Sequence, residues 1–348
     1  MSQAKPLTMN REQLSLQAAQ DRRSRALWQD AVRYLLRDRL TMLAVTLLSF
    51  LTLLSFVGAP VAARLLDIDY TKTNTPNQFQ PPNFAPIYET SWTSIGADGL
   101  QHHVSQMASV LPFYGETEYT GKWGGHILGT DNVGRDQFVR LLYGGQVSLL
   151  IAIITSILSL ILGVALGLLG GYFGGILDDV LVWFITTVNS IPGIFLLIVT
   201  ASLFGQDPRT LILILVFYGW LLPCRLVRGE VISLKQREYI LAALAVGAPR
   251  LRILAVHLLP NVFYIAVVSL SIHAGTLILI EAGLSFLGLG VAEPQPTWGN
   301  MLSKARSYFT RGQYLVYWPG IMITMTVLSL YLLGDGIRDA LDPRTSRR

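Results

Sequence analysis

Residues 241–261 read LAALAVGAPRLRILAVHLLPN. The stretch is mostly apolar, yet Gly247, Pro249 and Pro260 divide it, and Arg250, Arg252 and His257 stud it. Residues 238–246 are rich in Ala and Leu, a composition of high helix propensity. Gly247 suits the left-handed residue that closes such a helix. Pro249 suits the first turn of a new one, which carries the basic residues and is expected to stop at Pro260. The product is a short helix of about nine residues, roughly 14 Å at 1.5 Å per residue. One of its faces is small and apolar, a shape that inserts into another protein's groove. An amphipathic loop packed on a bilayer is the competing reading.

Composition sets the surroundings of that stretch. Of 348 residues 51% are hydrophobic and 14% charged, against about 25% charged in soluble domains. The single cysteine, Cys224, excludes an intramolecular disulfide and a clustered-Cys metal site. Six apolar runs have the length or the flanks of membrane-spanning helices: 40–63, 147–169, 180–204, 210–224, 262–280 and 313–334. The fourth is short, and Arg209 and Arg225 at its ends can snorkel to the interfaces. The expected fold is therefore an all-α polytopic membrane protein with six transmembrane helices.

Basic residues orient it. No apolar core and small-residue cleavage site is visible in 1–39, so the N-terminus is expected to stay in the cytoplasm. The pieces then inside carry 18 Lys and Arg, against 4 in the two shorter outside loops. Both termini, and the opening stretch between spans four and five, are thus expected to be cytoplasmic. Trp28, Val32, Leu35 and Leu36 recur at helical spacing among Arg33, Arg37 and Arg39. An amphipathic helix on the inner surface and a merely basic flank fit that pattern equally. The loop from 64 to 145 is rich in Pro, Asn, Thr and Gly, and its acidic residues outnumber its basic ones by 8 to 5. A small extracytoplasmic lobe with little regular structure is expected there.

The segment EYILAALAVGAPRLRILAVHLLPN (238–261) resembles the cytoplasmic signature of permease subunits of ATP-binding-cassette importers. Ala242, Ala243, Gly247, Ile253, His257, Pro260 and Asn261 match it, and Leu241 stands where that pattern opens with Glu. LGTDNVGRDQFVRLLYGGQVSLL (128–150), EAGLSFLGLGVAEPQPTWGNML (281–302), LLGDGIRDALDPR (332–344) and YLLRDRLTMLAVTLLSF (34–50) are similar to segments of dipeptide and oligopeptide permeases of the C-subunit type. Together they cover most of the chain in order. The departure is an extra segment: 45 residues, 83–127, separate Pro81-Pro82 from Leu128.

The resemblance implies a type I ABC importer permease fold in the inner membrane of a prokaryote. It divides the chain into a cytoplasmic segment 1–39, a first helix 40–63 and an extracytoplasmic loop 64–145. A permease core, 146–337, with the coupling loop 225–261, and a cytoplasmic tail 338–348 follow. It implies four kinds of partner: a second homologous permease of the B type, two ATPase subunits, an extracytoplasmic substrate-binding protein, and the bilayer. Di- and oligopeptides are the implied cargo, although relatives also take nickel chelates and oligosaccharides. ATP and Mg would be held by the ATPase subunits. This chain has no Gly-x-x-x-x-Gly-Lys-[Ser/Thr] loop, and no cofactor, nucleic acid or catalytic role is expected of it. The implied ATPase-coupling residues are Tyr239, Ala242, Ala243, Gly247, Ala248, His257, Pro260 and Asn261.

Several other residues invite interpretation. Gly163, Gly167 and Gly171 permit tight helix contact, either with a partner subunit or, the favoured reading, within the chain. His273, deep in span five, suggests a proton or substrate site, but a hydrogen bond to a neighbouring helix is expected. Glu281 is expected to cap the turn at 285–290 rather than to meet substrate. Asn189 and Pro192 are expected to kink span three. The pairs Asp131/Arg135 and Asp335/Arg338 suit local ion pairs. A self-sufficient ion-coupled transporter or channel would want more ionisable groups in mid-membrane, and a membrane enzyme would want paired carboxylates or a His cluster.

Overall fold

The structure is a computed structural model. It describes residues 32–74, 77–83 and 126–341, and the backbone of 89–95 and 101–107. Long apolar runs become helices because a chain in lipid must satisfy its own backbone N–H and C=O groups. In order they are α1 (Arg39–Leu66), α2 (Gln137–Phe173), α3 (Gly175–Asn189), α4 (Gly193–Phe204), α5 (Pro208–Gly219), α6 (Leu221–Lys235), α7 (Glu238–Ala245), α8 (Arg250–Phe286), α9 (Trp298–Arg306) and α10 (Tyr314–Leu341). A two-stranded antiparallel hairpin, β1 (Glu89–Ile95) and β2 (Gln101–Met107), lies between α1 and α2. This hairpin lies within the segment expected to form a small lobe with little regular structure. A helical turn at 32–37 precedes α1, and Asp38 caps α1 by accepting from the Thr41 backbone. Trp28, the first residue of the amphipathic pattern, and the tail from 342 onward lie outside the described residues.

Among the described residues, five helices or helix pairs are long and apolar enough to cross a membrane: α1, α2, α5–α6, α8 and α10. Span three is the exception. Residues 180–204 are not one straight helix, because α3 and α4 meet at 85° and make a sixth span only if taken together. Proline has no N–H and pushes the residue before it out of helical geometry, so the helix breaks over Ser190–Pro192. Asn189 and Pro192 therefore do more than kink it. Span four corrects the sequence in the other direction. Its helix runs on past Cys224 to Lys235, because Arg225 and Arg228 end an apolar run without ending a helix.

Pro260 also departs from expectation. It does not end a helix: α8 is continuous from Arg250 to Phe286, with a π-helical turn over Ile253–Leu258. A proline ring clashes with the carbonyl four residues earlier. The wider i→i+5 turn placed just before Pro260 opens the ladder and absorbs that clash.

α2 is the central helix. A Cβ on Gly163 would meet Pro223 at 2.8 Å, one on Gly167 the Cys224 carbonyl at 2.7 Å, and one on Gly171 the Val231 side chain at 2.9 Å. The glycine stripe therefore buries α2 against α6 within this chain, as favoured from the sequence. α10 closes the other side, where Gly334 and Gly336 admit Ile272 of α8 and Thr41 of α1.

At one end of the bundle the segments 128–136 and 281–302 form a tightly bonded knot. Asp131 accepts from the backbone of Val133 and Arg135 and pairs with the Arg135 guanidinium at 2.7 Å. Arg135 also donates to Glu293 at 2.9 Å, and Lys304 stands 3.4 Å from the same carboxylate. Burial works to raise the Glu293 carboxyl, but the Arg135 hydrogen bond and charge, with Lys304 and Arg140, outweigh it and hold it below its ordinary value. Asp136 caps α2 and takes a 2.8 Å bond from His126. Gly134 adopts φ +78°, and a side chain there would collide with the Asn74 carbonyl. Asp335 and Arg338, by contrast, are not paired with each other.

Glu281 performs a related task through hydroxyl groups. Ser285 donates to it at 2.8 Å and Ser148 of α2 at 3.4 Å, while Ser148 also accepts from the Trp298 backbone. The carboxylate thus ties α2, α8 and the start of α9 together. That structural role agrees with expectation, although it acts through side chains rather than by capping the turn directly.

Candidate functional site: the 235–261 loop

At the opposite end, α6 leads into α7 through the two residues Gln236 and Arg237. The end of α6 is pinned. Lys235 Nζ donates to the Tyr172 carbonyl at 2.7 Å, and Arg228 holds Asp178 of α3 in a bidentate pair at 2.5 and 2.7 Å. The α2–α3 corner itself turns on Gly174 and Gly175, both at positive φ.

α7 forms because Ala and Leu dominate residues 241–245, and it stops where the sequence indicated. Gly247 takes φ +81°. Its N–H bonds the Leu244 carbonyl at 2.9 Å, and the Ala248 N–H bonds the Ala243 carbonyl at 3.0 Å. Those two bonds make a Schellman closure, which a side chain at 247 would strain. Beyond Gly247 and its immediate neighbours, no atom of the described residues lies within 4 Å of a Cβ built there. Glycine is therefore required at 247 for its backbone angle, and not for close packing inside this chain.

One residue anchors the helix. Ile240 is fully buried, in a cluster with Val231, Leu234, Ile253, Leu258 and Val262. The rest of α7 turns outward. Tyr239, Leu241, Ala242 and Leu244 are exposed, and Val246, just after it, is 89% exposed. Ala243 and Ala248 are half-buried. Burial raises the Tyr239 hydroxyl above its ordinary value, the Arg237 charge only partly offsetting it. Exposed apolar surface of this kind is found at both protein–protein and membrane contacts.

The eight residues singled out by sequence fall into two groups. Tyr239, Ala242, Ala243, Gly247 and Ala248 belong to α7 and its closing turn. His257, Pro260 and Asn261 belong to the start of α8. There Asn261 donates its side-chain amide to the His257 carbonyl and stabilises the altered ladder around the π-turn. The sequence reading did not single out Ile240, Lys235 or the Asp178–Arg228 pair. Ile240 carried a signal, since it follows Val231 and Leu234 on the apolar side of the loop. The partner of Arg228 lies 50 residues earlier and carried none.

Sequence comparison gives this geometry its setting. Residues 163–347, which span the whole loop, match the family described as binding-protein-dependent transport system inner membrane component. The chain belongs to that family. Residues 26–82 match the N-terminal TM domain of oligopeptide transport permease C. The chain is similar to the oligopeptide transport system permease protein OppC of Haemophilus influenzae, at 32% identity over 92% of this chain and 89% of the relative. It is 35% identical to the OppC protein of Salmonella typhimurium over 92% of both chains. It is 40% identical to that of Escherichia coli K12 over 63% of this chain and 73% of the relative. This permease is accordingly a multi-pass inner-membrane transport component, and the channel and membrane-enzyme readings fall away.

His273 departs from expectation. It lies within α8 where that helix passes Gly219, and its Nε2 has no hydrogen-bond partner. The neighbouring helix does not satisfy it.

Proposed function

We propose that this permease forms half of the translocation path of an ATP-driven peptide importer and takes its motion from separate ATPase subunits through α7. The observation that carries the reading is the way α7 is held: Ile240 anchors it, and its remaining apolar face turns out of the chain. A helix of eight residues is too short to be stable alone, so this one is presented on a frame. Docked in a groove of an ATPase subunit, it receives the displacement when two such subunits close on ATP and Mg bound between them. The Lys235–Tyr172 and Arg228–Asp178 bonds then carry the movement into α6, α2 and α3 together, an alternating-access change.

The remaining partners in this reading are a homologous second permease of the B type and an extracytoplasmic binding protein that selects cargo. The relatives' names support oligopeptides as that cargo. Both termini and α7 lie in the cytoplasm, in keeping with the 18-to-4 distribution of Lys and Arg. Reconstitution of the full complex in liposomes tests the reading. Peptide uptake should require ATP and both ATPase subunits. Uptake that persists without nucleotide, or driven by an ion gradient alone, would refute it.

A further inference from the structure

Three buried side-chain polar atoms among the described residues have no hydrogen-bond partner: Thr155 Oγ1, Ser159 Oγ and His273 Nε2. Thr155 and Ser159 are fully buried, and His273 is nine-tenths buried. Two of the three converge on one place. A Cβ built on Gly219 would lie 2.6 Å from Ser159 Oγ and 3.0 Å from His273 Nε2. Thr155 stands one helical turn from Ser159 on the same face of α2. Serine and threonine in an apolar helix usually return their hydroxyl to a carbonyl of their own helix, as Thr200 and Thr276 do here. Ser159 and Thr155 do not.

Gly219 is also where the regular helix of span four is interrupted. α5 ends there and α6 begins at Leu221. Pro223 has no N–H, so it cannot give the Gly219 carbonyl its usual i→i−4 bond. The Trp220 N–H reaches the Val216 carbonyl only at 3.4 Å. A carbonyl deprived of its helical donor, the Ser159 hydroxyl and the His273 imidazole therefore meet at one joint, with Thr155 one turn further along α2. That joint lies between the two helices flanking α7: α6 leads into it, and α8, which carries His273, leads away.

We infer that Ser159, Thr155 and His273 form a reserve set of hydrogen-bonding groups for a hinge at Gly219–Trp220. They are unpaired in this conformation and engage the span-four backbone when α6 swings relative to α5. The inference rests on the coupling role proposed for α7, and it assigns the pivot at which that motion is taken up. Unpaired buried polar groups disfavour the conformation that holds them. Three groups satisfied in only one of two arrangements bias the equilibrium toward that arrangement. They act as positioning residues and touch no cargo.

The test is the pair of near-isosteric variants Ser159→Ala and Thr155→Val, singly and combined, in the complete transporter reconstituted in liposomes. ATP-dependent peptide uptake and the melting temperature of the nucleotide-free complex are both read. The expected result is a divergence. The resting complex melts at the same temperature or a few degrees higher, because an unpaired group has been removed, while uptake falls about five- to tenfold. Unchanged uptake in the double variant would overturn the inference, since the hydroxyls would then be idle in every state. A lower melting temperature matching the loss of uptake would overturn it too, because the groups would then support the resting fold. Wild-type uptake that needs no ATP strikes instead at the coupling role, which separates the two failures.

Discussion

The two ends of this permease solve the same problem in opposite ways. The knot built from 128–136 and 281–302 satisfies itself: Asp131, Arg135, Asp136, Glu281 and Glu293 are all spoken for by groups of this chain. α7 has one buried anchor, Ile240, and leaves its other apolar side chains turned outward. A region completed by its own chain maintains a shape. A region left incomplete by its own chain is, in the proposed reading, finished by a partner. Damage at the first end should lower stability and take transport with it, whereas damage at the second should remove transport and spare the fold.

The sharpest break of that contrast is expected at Gly134. Gly134→Ala sets a methyl against the Asn74 carbonyl at φ +78°. We expect a loss of about 3 kcal/mol in stability, read as a large fall in melting temperature of the purified permease, with uptake lost in proportion. Ile240→Ala removes the anchor of α7 from a packed cluster. It should cost about 2 kcal/mol, with ATP-driven uptake falling further than the melting temperature suggests. Gly247→Leu strains only the closing turn, at about 1 kcal/mol, so the permease should fold and assemble. ATP hydrolysis should then continue while uptake drops. Wild-type uptake in that variant would count against the role of the turn.

The smallest expected effect is one of pH. Glu293 is held below its ordinary value in the folded protein. Its contribution is therefore fully present above the unfolded value, about 4.3 for an unperturbed Glu, and lost as pH falls through the lower folded value. Melting measured over acid pH should show a modest decline there in the wild type, and less of it in Glu293→Gln. An equal decline in both would remove Glu293 from the knot's energetics.

Much of this arrangement was legible in the sequence, and the failures have specific causes. Spans one, two, five and six follow from run length, because a bilayer demands long uninterrupted apolar helices. The closing turn of α7 was readable to the residue, since Gly247 does there what only glycine does cheaply. Three features were not readable. Arg225 looked like the end of span four, but helix and membrane boundaries need not coincide. Pro260 looked like a stop, and the π-turn at Ile253–Leu258 that accommodates it has no sequence signature. Arg135 was recognised as the partner of Asp131 four residues away, whereas Glu293 lies 158 residues away and only the fold brings it there.

The claim on which the rest depends is that the outward face of α7 is covered by an ATPase subunit in the working transporter. Val246 is the residue to probe, being 89% exposed in the chain alone, and the native Cys224 is buried. A Val246→Cys variant should react readily with a water-soluble maleimide in the isolated permease. In the complete complex it should be protected and should cross-link to an ATPase subunit. Equal labelling with and without the ATPase subunits, and no cross-link to either, would contradict the account.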